Sequence, residues 1–152
     1  MINPQTEDRM QVLVVHARER KCAIRLSHLA ETMRPLPIST IVGAPPHVLG
    51  VAMIRGVATP VIDLGLALGE SSPAAFTRFV TLKNGAHRIA LAVDAVVGAH
   101  LLSAATLRAL PAELRSLAGE KIESVGAIGD QLLFLVEPSR LVPEQLWAVE
   151  AA

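Results

Sequence analysis

The chain has 152 residues, 51% of them hydrophobic and 18% charged, with 14 Lys plus Arg balanced by 14 Asp plus Glu. That length fits one compact unit or two small subdomains sharing a core, and the even charge leaves no long-range field to draw in nucleic acid or an anionic membrane. Three Phe, one Trp and no Tyr give few platforms for stacking bases, and the lone cysteine, Cys22, excludes an intramolecular disulfide.

Residues 1–10 read as a flexible tail, without the basic start and apolar core of a signal peptide. Val12 to Val15 and Cys22 to Leu26 are two β-type runs separated by the charges Arg18, Glu19, Arg20 and Lys21, which predicts a hairpin. In the second run Cys22, Ile24 and Leu26 share one face and Ala23 and Arg25 the other, the period of a half-buried strand. Leu29 to Leu36 predicts a third strand stopped by Pro35 and Pro37, and Ile41 to Pro46 a loop. Val48 to Ile54 and Val57 to Ile62 follow as apolar strands hinged at Arg55-Gly56, where glycine supplies the positive φ of a tight connection. Asp63 to Gly69 predicts one helical turn ending at glycine.

The Ser, Pro and Ala of residues 71–75 mark an internal boundary. Beyond it, Phe76 to Leu82 and His87 to Val93 predict a hairpin with Asn84-Gly85 as a type I′ turn, and Val96 to Leu102 another strand. Leu107, Leu110, Leu114 and Leu117 recur at helical spacing, split by Pro111. Ile122 to Ile128 and Gln131 to Val136 give a last hairpin over Gly129-Asp130. Residues 138–149 then read as one or two helical turns with Leu141, Leu146 and Trp147 facing the body. Nine or ten short strands and little helix predict a mainly β protein of small closed or nearly closed antiparallel sheets, one on either side of residues 71–75. The most apolar stretch, residues 35–68, is interrupted by His47, Arg55, Asp63 and several Pro and Gly, so it is no membrane span, and a cytoplasmic chain is expected.

Catalytic chemistry finds little support. His16, His28, His47, His87 and His100 never stand four residues apart, so no helical metal-binding pair exists. Cys22 lies on an apolar face, where a thiol behaves as a small hydrophobe. No phosphate-binding glycine loop occurs, and Asp63 and Asp94 each follow a strand and cap or terminate it. No cofactor and no metal are expected. Arg55, between Ile54 and Gly56, stands out: either it presents its five donors to a partner, or it only keeps the turn wet. Glu31 likewise either faces solvent or anchors a basic partner.

The sequence resembles the CheW family of chemotaxis coupling proteins. The resemblance starts at Leu29-Ala30-Glu31 before the Pro35-Leu36-Pro37 turn and centres on residues 48–56, VLGVAMIRG, and 59–64, TPVIDL. It continues through residues 91–96, LAVDAV, and the hairpin Gly126 to Val136, covering nearly everything from Met10 onward. It implies two small SH3-like five-stranded antiparallel β-barrels around a shared apolar seam, with short helical turns and a C-terminal helical segment. Residues 11–152 then form one CheW-like domain: a first barrel of about 11–70, a second of about 76–137, and a helical segment 138–150 packing on the body.

The resemblance also implies a non-catalytic adaptor. It would couple the cytoplasmic tip of a methyl-accepting chemoreceptor to the regulatory domain of a histidine autokinase, in the cytoplasm and recruited to membrane receptor arrays through these partners. A scaffold of a surface-motility or gene-regulation pathway would look much the same, and a small-molecule-binding protein or enzyme is the remaining alternative. Glu31, Ile54, Arg55 and Gly56 fall in parts associated with partner binding or interface shape, and Cys22, Pro60, Asp63 and Asp94 are structural. The chain departs from the family pattern at Met53, where asparagine is common, at Ala58-Thr59 before Pro60, and in lacking a glycine before Asp94.

Overall fold

The computed structural model describes residues 9–71, 76–103, 105, 107–109, 112–113 and 122–149. Its strands in chain order are β1 (Arg9–Ala17), β2 (Arg20–Arg25), β3 (Leu29–Met33), β4 (Val48–Ile54), β5 (Val57–Asp63), β6 (Arg78–Asn84), β7 (His87–Val93), β8 (Ala95–Ser103), β9 (Ile122–Ile128), β10 (Gln131–Val136) and β11 (Ala148–Val149). Single helical turns occupy Leu26–His28, Leu64–Ala67, Pro138–Leu141 and Glu144–Leu146.

Two sheets result. One has the order β8-β1-β2-β10-β9; the other has the order β3-β6-β7-β5-β4, with β11 added to β7. The sheets do not divide at residues 71–75, because the expected halves 11–70 and 76–137 each send strands to both. Nor are they wholly antiparallel. β10 pairs β2 and β5 pairs β7 in parallel, since each partner arrives by a long connection and not by a hairpin.

The sheets pack over a central apolar cluster that draws Leu13, Val15, Cys22 and Ile24 from the first and Ile62, Val80, Leu82, Ile89, Leu91 and Val93 from the second. Each sheet carries a smaller cluster on its other face: Val12, Val14, Ala23, Leu133 and Leu135 in the first, and Ala52, Ile54, Val61, Phe79, Ala90 and Ala92 in the second. The shared seam is thus present. β2 is buried on both faces, not half-buried, because Ala23 enters the second cluster while Cys22 and Ile24 enter the first. Burial of each large aliphatic or aromatic side chain contributes about 1.5–3 kcal/mol, so the three clusters supply the main drive to fold.

Local differences from expectation have local causes. β3 ends at Met33, ahead of Arg34 and Pro35. The β6–β7 turn is Gly85-Ala86, one residue later than Asn84-Gly85, because Asn84 pairs with His87 and only Gly85 takes a positive φ. Likewise Arg20 and Lys21 belong to β2, which leaves Arg18-Glu19 as a two-residue turn. At the C-terminal end the chain turns into β11 on the edge of β7, so Leu141 and Trp147 are buried as expected but Leu146 is 64% exposed. Trp147 Nε1 donates to the Val142 carbonyl at 2.9 Å. The tail expectation for residues 1–10 fails at Arg9 and Met10, which begin β1; residues 1–8 and the helical spacing of Leu110, Leu114 and Leu117 fall outside the described residues, and Leu107 packs against the first sheet's own cluster.

Candidate functional site

The β4–β5 connection is a two-residue turn between the paired residues Ile54 and Val57. Its two residues, Arg55 and Gly56, have φ of 53° and 79°. Positive φ at both central positions is the type I′ geometry that matches the twist of the flanking strands. Glycine accepts it freely, whereas a residue with a Cβ held there costs about 1–2 kcal/mol. Arg55 bears that cost at the tip of the hairpin.

Its guanidinium meets Glu31. Nε donates to Oε2 at 3.1 Å, and Nη2 donates to Oε1 at 3.1 Å and to Oε2 at 3.0 Å, a two-pronged pair. Glu31 sits on β3, at the edge of the second sheet opposite to β4. The sheet therefore curls far enough for its two edges to come within side-chain reach, and this pair ties them. Glu31 is itself fixed by a register shift between Leu29 and Glu31, where the buried Thr81 hydroxyl replaces regular ladder bonds: it accepts from the Glu31 N–H at 3.0 Å and donates to the Glu31 carbonyl at 3.1 Å. Around the pair lies an open concavity of about 250 Å³, floored by Ile54, Val57, Thr59 and Thr81.

Arg55 is 76% exposed and Glu31 33%. Its remaining nitrogen, Nη1, has no partner among the described residues. Ile54 lies beneath the pair. At 7% exposure it belongs to the second sheet's own cluster, so it shapes the turn from within, while Met53, 63% exposed, is the residue of that strand end that solvent meets. The strand's alternation thus turns Ile54 inward, beneath the pair, and Met53 outward. Leu36, Ile41 and Val42 add exposed apolar surface from the loop that follows β3.

The residues expected to be structural are placed as follows. Cys22 is fully buried in the central cluster, and burial pushes its thiol pKa up to about 12. Pro60 opens the stretch of β5 that pairs with β7 from Val61 onward. Asp63 caps the Leu64–Ala67 turn, accepting from the Leu66 N–H at 3.1 Å. Asp94 lies in the crossover from β7 to β8. What the sequence did not reveal is that one arginine holds both. Arg18, read only as one of four turn charges, places Nη1 3.2 Å from Asp63 Oδ1 and 3.4 Å from Asp94 Oδ1. Burial opposes its charge, but the hydrogen bonds and charges of the two carboxylates outweigh that and raise its pKa.

Gly50, inside the central motif, also gains a reason. Its φ is 145°, and a Cβ there would lie 2.0 Å from the Ser39 carbonyl oxygen, which accepts from the Val51 N–H at 2.9 Å. Only glycine lets the Pro-bracketed segment close onto β4.

Among the described residues no group of three His, Cys, Asp or Glu side chains could hold a metal ion, and no helix is long and apolar enough to cross a membrane. Fold and site together define a class: a two-sheet β protein whose exposed polar feature is a paired arginine turn. Residues 11–146 match the CheW-like domain, and the chain belongs to that family. It is 28% identical over 114 residues to the chemotaxis protein CheW of Klebsiella aerogenes, covering 74% of this chain and 69% of that one. Its fold matches the crystal structure of the scaffolding protein TtCheW from Thermoanaerobacter tengcongensis with a TM-score of 0.77 at 19% identity, over 91% of this chain and 98% of the other. The resemblance carried by residues 48–64 and 91–96 is thereby established at the level of the family.

Proposed function

We propose that this chain is a non-catalytic scaffold of a chemotaxis-type pathway, coupling the cytoplasmic tip of a methyl-accepting chemoreceptor to the regulatory domain of a histidine autokinase. Family membership supports the scaffold role. The observation that carries the site is the Arg55 turn, held in a costly left-handed conformation at the surface and locked to Glu31 with Nη1 left over. An exposed ion pair contributes under about 1 kcal/mol to stability, so folding alone gives weak reason to hold an arginine there. A partner carbonyl or carboxylate that meets Nη1 would be recognised by a guanidinium whose plane Glu31 has already fixed, which lowers the entropy lost on docking.

Work in the cytoplasm at receptor arrays follows from those partners. The test is recovery of the tagged protein from its own cells with identification of what accompanies it. A chemoreceptor and a histidine autokinase recovered with the wild-type chain, at least one of them lost from Arg55→Ala, support the proposal. Recovery of neither with the wild-type chain rejects it.

A further inference from the structure

We infer that Arg18 is a positioning residue: its guanidinium clasps Asp63 and Asp94 and thereby fixes the two sheets relative to each other, with Gly65 kept side-chain-free to admit it. Arg18 belongs to the β1–β2 turn of the first sheet, Asp63 ends β5 in the second, and Asp94 is the crossover between them. Arg18 is 13% exposed and Asp63 1%, so the contact is largely shielded from water and is much stronger than a surface pair. Backbone bonds reinforce the contact. The Arg18 N–H donates to Asp94 Oδ1 at 3.0 Å, the Asp94 N–H donates to the His16 carbonyl at 2.9 Å, and Asp63 also accepts from Leu66.

Two further observations point the same way. Arg18 holds a φ of 59° in a turn where glycine would be unstrained, so its side chain compensates for a backbone cost. A Cβ on Gly65 would lie 2.5 Å from Arg18 Nη1 and 2.7 Å from Cζ. Gly65 lies in the Leu64–Ala67 helical turn without a positive φ, and alanine favours helix over glycine. The three nearest atoms that a side chain at this position would meet all belong to the Arg18 guanidinium, so the clasp opposes it. Because the guanidinium ends a flexible chain, Gly65→Ala would displace it and leave the backbone in place.

For a scaffold, the angle between sheets sets how a partner held on one sheet is presented to a partner held on the other; this consequence rests on the proposed function, whereas the clasp itself does not. The experiment uses wild type, Arg18→Ala, Gly65→Ala and the double variant, with thermal melts and amide residual dipolar couplings measured on strands of each sheet. Arg18→Ala is expected to lower the melting temperature by about 6 °C and Gly65→Ala by about 4 °C. In the Arg18→Ala background the sign reverses, and Gly65→Ala raises it by about 2 °C. In both single variants the couplings of each sheet fit its own unchanged geometry but no longer one shared alignment. Lys83→Ala, at an exposed position of β6, leaves the shared alignment intact.

Equal loss from Gly65→Ala in both backgrounds, or a single shared alignment in Arg18→Ala, overturns the clasp. The downstream consequence is read separately: Arg18→Ala should bind a receptor tip and a kinase regulatory domain singly within about twofold of wild type, while formation of the three-protein complex falls about tenfold. If wild type itself forms no such complex, the scaffold proposal fails while the dipolar couplings still decide the clasp.

Discussion

Two arginines, each the first residue of a two-residue hairpin turn and each with a positive φ, do different work. Arg18, at 59°, lies under cover and reaches across the seam to carboxylates of the other sheet and its crossover. Arg55, at 53°, stands in solvent and reaches between the two edges of its own sheet. Residue type and a positive φ at the first turn position are shared, although Gly56 also takes a positive φ and Glu19 does not; what sets their work apart is burial. Where water is excluded, a guanidinium between two carboxylates stabilises the assembly of sheets; where water is present, the same pairing adds little stability and leaves a pre-oriented donor at the surface.

Removing the carboxylates should separate the two most widely. Asp63→Ala leaves Arg18 partly buried beside a single carboxylate and deletes a helix cap, for a loss of about 3–5 kcal/mol. Glu31→Ala should cost under about 1 kcal/mol. Urea titrations of the two variants measure both, and equal losses would break the distinction. The turns themselves come next. Nothing lies within 4 Å of a Cβ on Gly56, so Gly56→Val should cost about 1–2 kcal/mol from backbone conformation alone, and Gly56→Asn much less. Similar losses for valine and asparagine would show that contact, not φ, governs this turn.

Cys22 reports on the seam. Buried and with its pKa near 12, it should react with a thiol reagent orders of magnitude more slowly than in the unfolded chain. Arg18→Ala should speed that labelling by loosening the seam that Arg18 spans, and Arg55→Ala should not. The smallest effect concerns pH. Arg25 donates to Glu123 through two 2.7 Å bonds and holds its pKa below the ordinary carboxylate value. A depressed folded pKa gives stability that is present above the unfolded pKa and lost as pH falls through the folded one. Melting temperature should therefore decline on acidification through and below the ordinary glutamate range, less steeply in Glu123→Gln.

Much of this fold is written locally. The β1–β2, β4–β5 and β9–β10 hairpins follow from apolar runs around charged or glycine turns, and Asp63 before a helical turn follows from capping chemistry. Pairings that depend on distant segments are not. Nothing in Cys22-Ala23 announces Phe134-Leu135 as a parallel neighbour, and Ala90 to Ala92 do not announce Val61 to Asp63. Strand phase was equally hidden at Met53-Ile54, since both are apolar and period two permits either one inward. Leu146 faces outward because Pro138–Leu141 and Glu144–Leu146 are two separate turns, and one helical period does not carry its phase across Val142-Pro143.

The site was legible in its parts and not in its joining. Glu31 and Arg55 stood out as isolated charges in apolar runs, but they lie 24 residues apart on opposite edges of a sheet and meet only because that sheet curls. Arg18 was hidden among Glu19, Arg20 and Lys21, because four adjacent charges do not say which one turns inward. Gly65, with an arginine where its Cβ would be, is the trace that clasp leaves in the sequence.

The most direct test is calorimetric titration of folded Arg55→Ala and Arg18→Ala against a chemoreceptor tip and a histidine autokinase regulatory domain, with melts in parallel. Arg55→Ala should lose about 2–5 kcal/mol of affinity for at least one of them with its melting temperature little changed; Arg18→Ala should melt earlier and bind each as wild type does. Undiminished affinity in a well-folded Arg55→Ala protein would contradict the account and return Arg55 to a solvated turn residue.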